Sequence, residues 1–348
     1  MTATRRQFLK AASTVAFTGP AIVNSQNKAG IKPAVVGKGD FKYACLHEWG
    51  ELPANIEWQT THGVAIDSTG LIYITHRGTG RPASDVVVVF DEKGKFVRSF
   101  GKELHGGGHG IDIRREGNDE FAYLSNTGKQ TVVKTTLKGN VVWTKTKPVE
   151  SGKYDDPKTP YSPTNINFMP DGGFVIGDGY GSHYLHQYNK DGKWIRTWGG
   201  NGDEPGKMKT PHGHWLDNRL GRKPAIAVCD RANARLQYFD LKGKHLGFVK
   251  ELSFPADIDI QGETMLVSDL HARLTLFDKD NKVITHLGED KEWTKQVVAS
   301  GFPVRRDPKQ WRNGRFIHPH DACFDKDGNI YVAEWVSTGR ITKLERLG

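Results

Sequence analysis

Short stretches in which apolar and polar residues alternate fill most of this chain, and glycine-containing turns separate them. The first reads HGVAIDSTGLIYITHRG, and the run VVVVFDEKGKFVRSFG follows it closely. Brief β-rich runs bounded by Asp-x-x-Gly turns are typical of antiparallel strands. The pattern therefore predicts an all-β protein built from many short strands.

The same unit of strands and turns recurs six times along the chain. Its copies open at His62, His109, Pro163, His212, Pro255 and His320, at intervals of 47, 54, 49, 43 and 65 residues. Such spacing is typical of the four-stranded blades of a β-propeller. The longest interval contains residues 290–317, which we interpret as a long loop between blades five and six.

The sixth copy ends at Lys343-Leu344-Glu345 and lacks the aromatic-Gly strand that closes the other copies. A segment with that pattern, Phe41 to Gly50, lies near the start of the chain. An N-terminal strand that completes the last blade would leave no open sheet edge. We predict one six-bladed β-propeller over residues 40–348.

The first residues of the chain predict export. Arg5 and Arg6 stand before Phe8-Leu9-Lys10 and a weakly apolar stretch that is too short to span a membrane. We interpret residues 1–28 as a twin-arginine signal peptide and linker. The expected location is periplasmic or extracellular, without a stable membrane anchor.

Charge and cysteine content exclude few classes of protein. The net charge is +9, but lysine and arginine are scattered through turns, and this argues against a nucleic-acid-binding surface. Cys45, Cys229 and Cys323 are too few and too widely spaced for a disulfide framework. We interpret all three as small buried residues of strands.

Histidines open the second, fourth and sixth copies, at positions where the first strand of a blade lines the channel. Alternate blades of a sixfold ring lie about 120° apart, so His109, His212 and His320 are expected to converge. Three neutral imidazoles suit Zn²⁺ and leave a coordination position open. A purely structural role for each histidine stays an alternative, and His62 in the first copy weakens the uniqueness of the set.

Three further candidates follow second strands of blades: Arg77, Tyr180 and Arg231. The arginines could bind a substrate carboxylate, and a tyrosine beside a metal could act as a base. The alternative for the arginines is pairing with Asp85 and Asp230.

Six motifs occur in the order found in the peptidyl-α-hydroxyglycine α-amidating lyase family: ITHRG, GHGIDI, GDGYG, TPHGHW, CDRANARLQYF and HPHDA. The chain resembles that family over nearly the whole propeller region. The resemblance implies a catalytic zinc bound by His109, His212 and His320. It also implies a structural calcium bound by the backbone carbonyls of Val64 and Ile111 and the carboxylate of Asp321. Tyr180 and Arg77 would act on the substrate, and Arg231 would help to hold it.

The implied reaction splits a peptidyl- or N-acyl-α-hydroxyglycine at its C–N bond and releases a primary amide and glyoxylate. Vertebrate members of the family carry disulfides beside the tyrosine and arginine motifs, where this chain has Gly181 and Tyr238. A smaller N-acyl or N-carbamoyl α-hydroxyglycine is therefore an alternative to a peptide substrate.

Two other functions remain open from the sequence. One is a non-catalytic NHL propeller that binds a ligand or a protein partner. The other is a lactonase-type hydrolase, whose cation is held mainly by carboxylate and amide oxygens, whereas this channel offers imidazoles.

Overall fold

A computed structural model describes residues 32–80 and 82–348. The predicted signal peptide, residues 1–28, lies outside the described residues. The described part folds into six antiparallel sheets, five of four strands and one of five, arranged as a six-bladed β-propeller. The predicted fold class is confirmed.

The strands follow one another blade by blade along the chain. In chain order they are β1 (Ala34–Lys38), β2 (Phe41–His47), β3 (Thr61–Ile66), β4 (Ile72–His76), β5 (Val87–Phe90), β6 (Phe96–Phe100), β7 (Gly108–Glu116), β8 (Asp119–Asn126), β9 (Thr131–Thr136), β10 (Val141–Lys145), β11 (Asn165–Phe168), β12 (Phe174–Gly177), β13 (Tyr184–Tyr188), β14 (Trp194–Gly199), β15 (Pro211–Asp217), β16 (Ala225–Asp230), β17 (Arg235–Phe239), β18 (His245–Val249), β19 (Pro255–Gln261), β20 (Thr264–Asp269), β21 (Arg273–Phe277), β22 (Val283–Leu287), β23 (Pro319–Phe324), β24 (Ile330–Glu334) and β25 (Arg340–Arg346). The helices are α1 (Lys291–Val297) and α2 (Pro303–Arg306), with 3₁₀ turns at Lys102–Leu104, Val149–Ser151, Arg231–Asn233 and Pro308–Gln310.

The ring closes through the sixth blade, whose strand order is β1-β2-β25-β24-β23. Strand β2 pairs with β25 from Tyr43 opposite Arg346 to His47 opposite Thr342. This is the predicted closure by an N-terminal strand. Strand β1 adds an outermost fifth strand that the sequence pattern did not predict.

Apolar side chains fill the spaces between adjacent blades, because alternate residues of a strand point to opposite faces of its sheet. Between blades one and two, for example, Tyr73, Val87 and Val89 pack against Ala122 and Leu124, and all five are buried. The repeated unit needs its neighbours to bury both faces, and the closed ring supplies them.

The innermost strands of five blades share an irregularity near their start. The register shifts fall between Thr61 and Val64, Gly108 and Ile111, Pro211 and His214, Pro255 and Asp257, and Pro319 and Asp321. A bulge bends its strand and re-aims side chains. Every histidine that opens a repeat lies within one of these bulges.

Residues 290–317 do not form the plain loop expected from the sequence. Asp290 caps α1 by accepting hydrogen bonds from the backbone N–H groups of Glu292 and Trp293. The Trp293 side chain is buried and donates from Nε1 to the carbonyl of Phe316 at 2.6 Å. The insertion is thus a packed element with its own small apolar cluster.

All three cysteines are free thiols; Cys45 and Cys229 are buried and Cys323 is half-buried. Among the described residues no helix combines the length and apolar character that crossing a membrane requires.

Candidate metal centre and catalytic cavity

The three predicted ligands lie on the innermost strands of blades two, four and six, and their side chains are buried. The Nδ1 atoms of His109, His212 and His320 donate to the carbonyls of Thr164, Ala256 and His62 at 2.8, 2.8 and 2.9 Å. Each acceptor belongs to the following blade of the ring. A hydrogen bond at Nδ1 fixes the tautomer, so each Nε2 carries a lone pair.

The backbone of each histidine is held from the other side as well. Hydroxyls of Thr75, Thr164 and Ser268, all in preceding blades, donate to the carbonyls of His109, His212 and His320. The residue after His109 must be glycine, because a Cβ at Gly110 would lie only 2.5 Å from the carbonyl oxygen of Thr164. The three imidazoles are therefore fixed by a repeated, pseudo-threefold set of contacts.

The separation of the ring nitrogens fits a shared cation. Nε2 of His109 and Nε2 of His212 lie 3.3 Å apart. Two nitrogen ligands of a tetrahedral zinc with bonds of about 2.0–2.1 Å are separated by about 3.3–3.4 Å. Two lone pairs at this distance repel unless a cation or a proton lies between them. The buried Nε2 of His320 has no partner among the described residues.

Burial also keeps these imidazoles neutral, as a metal ligand must be. Desolvation lowers the pKa of His109 to about 3. It holds the pKa values of His212 and His320 well below the ordinary range, and the nearby Arg231 guanidinium adds to the effect. Histidines of this cluster could hold a metal ion.

A fourth imidazole, which the sequence left without a role, belongs to the same cluster. One of its ring nitrogens lies close to two of the predicted ligands: one ring nitrogen from each of His62, His109 and His320 forms a group whose members are within 4.8 Å of one another. The ring centroid of His212, the predicted third ligand, lies 4.9 Å from that of His109 and 4.6 Å from that of His320. The channel thus contains four converging histidines.

Tyr180 and Arg231 meet beside the imidazoles. The Tyr180 hydroxyl lies 2.9 Å from Nε2 of His212 and 3.3 Å from Nε2 of His109. Nη1 of Arg231 donates to the same hydroxyl at 3.0 Å. Two imidazoles and the Arg231 guanidinium therefore converge on one oxygen atom, that of the Tyr180 hydroxyl.

Arg231 is a buried cation with unused hydrogen-bonding capacity. Its side chain is 4 % exposed, and Nη2 has no partner among the described residues. Asp230, the alternative partner considered from the sequence, forms its ion pair with Arg235 at 2.7 Å. Because a buried charge is costly without a counter-ion, Arg231 is suited to bind a carboxylate.

The segment that carries Tyr180 is held by a buried carboxylate that the sequence analysis did not single out. Asp178 accepts hydrogen bonds from the backbone N–H groups of Ser162 and Ser182 and from the hydroxyl of Tyr154, each at 2.7 Å. Burial raises the pKa of Asp178 to about 6, although these hydrogen bonds oppose the rise. The aspartate in the motif GDGYG was the available signal.

A cavity of about 810 Å³ opens above the histidines. Blades one to four contribute mainly polar and cationic side chains to its wall, namely Arg77, Thr127, Ser162, Tyr180 and Arg231. Blades five and six and the insertion contribute mostly apolar side chains, namely Phe254, Leu270, Val298, Phe302 and Trp335, together with the imidazoles of His271 and His318. The cavity therefore has one cationic side and one apolar side, and Arg77, the third predicted catalytic residue, lies on the cationic side.

A second, smaller cavity of about 120 Å³ lies along the same inner strands. Its wall includes Val64, Asp112, Asp257, Asp259 and Asp321. Val64 and Asp321 belong to the predicted calcium set, and the third member, Ile111, directly precedes Asp112. The Val64 N–H donates to Oδ2 of Asp321 at 2.8 Å. Sequence reasoning missed the other three aspartates, although each stands between two apolar residues of an innermost strand.

Burial dominates the electrostatics of this carboxylate cluster. It raises the pKa of Asp259 to about 6 and that of Asp321 to about 7. Burial and the neighbouring carboxylates raise the pKa values of Asp112 and Asp257 well above the ordinary range of a carboxyl group. Oδ2 of Asp112 has no partner among the described residues. Clustered carboxylate oxygens of this kind suit a hard cation.

Curated proteins of two kinds are similar to this chain. A peptidyl-glycine alpha-amidating monooxygenase from Mus musculus is 28% identical over 332 residues, which cover 85% of this chain and 31% of that protein. NHL repeat-containing protein 3 from Mus musculus is 30% identical over 237 residues, covering 63% of this chain and 65% of that protein. The chain is homologous to both. It spans about a third of the length of the monooxygenase.

Solved structures support the fold alone. A streptogramin B lyase aligns with a TM-score of 0.57 at 13% identity, over 86% of this chain and 97% of that one. A gluconolactonase from Xanthomonas campestris aligns with a TM-score of 0.59 at 12% identity, over 90% of this chain and 95% of that one. No family model matches the chain.

Proposed function

We propose that this protein is a metal-dependent lyase that cleaves the C–N bond of a peptidyl- or N-acyl-α-hydroxyglycine, releasing a primary amide and glyoxylate. The observation that carries the proposal is the position of the Tyr180 hydroxyl. It lies within 3.3 Å of the Nε2 atoms of both His109 and His212, and it accepts a hydrogen bond from Arg231. Homology to the amidating monooxygenases supports the same reaction class.

His109, His212 and His320 would hold the metal, which we propose to be zinc because neutral imidazoles suit this ion. A zinc ion supplies Lewis acidity at the substrate hydroxyl, as it does for bound water. Tyr180, whose oxygen accepts a hydrogen bond from Arg231, acts as the general base and takes the proton of the substrate hydroxyl. The electron pair of that O–H bond forms the carbonyl of glyoxylate, and the C–N bond breaks with its pair moving to nitrogen. The nitrogen then needs one proton, which the Tyr180 phenol can return, so the residue is regenerated.

The two sides of the cavity fit the two ends of such a substrate. The α-carboxylate would pair with Arg231, whose Nη2 is unpartnered among the described residues, and with Arg77 on the same side. Arg77 would also stabilise negative charge that develops on the glyoxylate oxygen. The acyl group would lie against Phe302 and Trp335, so we propose an apolar N-acyl group or an apolar penultimate peptide residue.

We further propose a structural calcium ion at the small carboxylate-lined cavity. Asp321 and the carbonyls of Val64 and Ile111 would hold it, with the neighbouring aspartates as additional oxygen donors. The unpartnered Oδ2 of Asp112 supports a cation at this place, because a buried carboxylate oxygen without a partner is otherwise costly.

The test uses α-hydroxyhippurate with the purified, zinc-loaded protein, and glyoxylate and benzamide are both measured. We expect stoichiometric release of the two products. His212→Ala should abolish release, whereas His245→Ala, on the outer strand β18, should leave it unchanged.

Three results would contradict the proposal. One is a zinc-loaded, folded protein that releases neither product from α-hydroxyhippurate or from a peptidyl-α-hydroxyglycine. The second is hydrolysis of a lactone without glyoxylate release, which would favour the lactonase alternative. The third is release that is unaffected by His109→Ala, which would show that the imidazole cluster is not the site.

A further inference from the structure

His62 occupies a position in the propeller where a histidine is not needed for structure. Its carbonyl accepts the Nδ1–H of His320, as the carbonyls of Thr164 and Ala256 accept those of His109 and His212. Blades three and five therefore perform this backbone task with threonine and alanine. The imidazole of His62 requires a different explanation.

The surroundings of the His62 ring point to a ligand. The side chain is 5 % exposed, and its Nδ1 is buried without a partner among the described residues. Its ring centroid lies 4.9 Å from that of His109 and 4.9 Å from that of His320. Leaving a buried polar atom unpaired costs about 1–3 kcal/mol, and a bound cation would remove that cost.

We infer that His62 is a fourth metal ligand, so that the centre has two overlapping sets of three imidazoles. One set is His109, His212 and His320, beside Tyr180. The other is His62, His109 and His320, whose ring nitrogens lie within 4.8 Å of one another. His109 and His320 belong to both sets, whereas His62 and His212 each belong to one.

The overlap has a consequence that a three-histidine centre does not share. Removing His212 leaves a complete set of three imidazoles, and so does removing His62. Removing His109, removing His320, or removing His62 and His212 together leaves no complete set. Four imidazoles exceed the three protein ligands of an ordinary catalytic zinc site, so the substrate hydroxyl of the proposed reaction would bind as a fifth ligand. A set of four imidazoles suits Co²⁺, Ni²⁺ and Cu²⁺ as well as Zn²⁺.

Metal binding can be measured without turnover. The protein is stripped with a chelator and titrated with Zn²⁺ against a competing indicator, and Co²⁺ loading is followed by its visible absorption. His62→Ala should weaken Zn²⁺ binding by about tenfold or more and alter the Co²⁺ spectrum. His212→Ala should retain one metal ion per chain with weakened affinity, and His62→Ala/His212→Ala should retain none. His318→Ala is the matched control, because this buried imidazole lines the cavity but lies outside both sets.

A His62→Ala protein with unchanged Zn²⁺ affinity and Co²⁺ spectrum would overturn the inference. A folded His212→Ala protein that binds no metal would overturn it too. If variants fail to fold, X-ray absorption of the zinc-loaded parent protein counts the imidazoles directly, and three instead of four would refute it. The inference adopts the metal of the proposed function, but a protein that releases no glyoxylate still gives a valid metal count.

Discussion

Replacing Tyr180 by phenylalanine removes one oxygen at the point where three groups of the site meet. That oxygen lies 2.9 Å from Nε2 of His212 and 3.0 Å from Nη1 of Arg231. Loss of a positioned general base costs about 10²–10⁴-fold in rate, or about 3–5 kcal/mol at about 1.4 kcal/mol per decade. We expect kcat for glyoxylate release from α-hydroxyhippurate to fall by this factor. KM should change less, because the carboxylate-binding arginines remain.

The variant should fold and bind metal normally. Tyr180 is 43 % exposed, so the ring can stay in place, and water can reach the Arg231 group that loses its acceptor. The loss of unfolding free energy should stay below about 2 kcal/mol, which thermal unfolding measures. Tyr184→Phe is the matched control and should retain kcat. A Tyr180→Phe protein with full metal content and a kcat within about threefold of the parent would refute the assigned role.

Four further predictions concern the supports of the site. Asp178→Asn replaces one accepting oxygen by an N–H₂ group, which must then face a hydrogen-bond donor. The free energy of unfolding, measured in urea, should therefore fall by about 1–3 kcal/mol, and kcat in the lyase assay should fall as well. Burial raises the pKa of Asp321 to about 7, above its unfolded value. The stability of the metal-free protein should therefore decrease as pH rises from about 4 to about 7, and the increase in Tm with Ca²⁺ should be larger at pH 8 than at pH 5. The buried guanidinium of Arg340 lies 2.7 Å from the Glu334 carboxylate. Glu334→Ala leaves this charge without a partner, so the free energy of unfolding measured in urea should fall by about 3–5 kcal/mol. Phe302→Ala should lower kcat/KM for a benzoyl substrate by about tenfold but hardly change that for an acetyl substrate, because only the benzoyl ring reaches the apolar wall.

Local pattern was sufficient to predict the blades and their closure. Each copy carries its own strand and turn signals, and the pattern Phe41 to Gly50 supplies the strand that the sixth copy lacks. The same periodicity places His109, His212 and His320 on innermost strands, because equivalent positions of a repeat occupy equivalent places in the ring.

Contacts between blades were not predictable in this way. Three features depend on how neighbouring blades pack together. They are the bulges that orient the histidines, the hydroxyl groups that donate to the histidine carbonyls, and the cluster of aspartates. The pattern also failed for residues 290–317, where α1 forms because Asp290 caps it and Trp293 packs beneath it. His62 opened a repeat like its counterparts, but only the geometry brings it within 4.8 Å of His109 and His320.

The channel separates two kinds of donor along the same strands. His109 and Asp112 are three residues apart on β7, and His320 and Asp321 are adjacent on β23. Imidazole nitrogens suit zinc, whereas carboxylate oxygens suit calcium, so under the proposed function each cavity would select its ion by ligand type. Because both sites share these strands, an ion bound among the aspartates would also fix the bulges that aim the histidines. We therefore expect calcium removal to weaken zinc affinity without touching any zinc ligand, and Zn²⁺ titrations with and without Ca²⁺ measure this coupling directly.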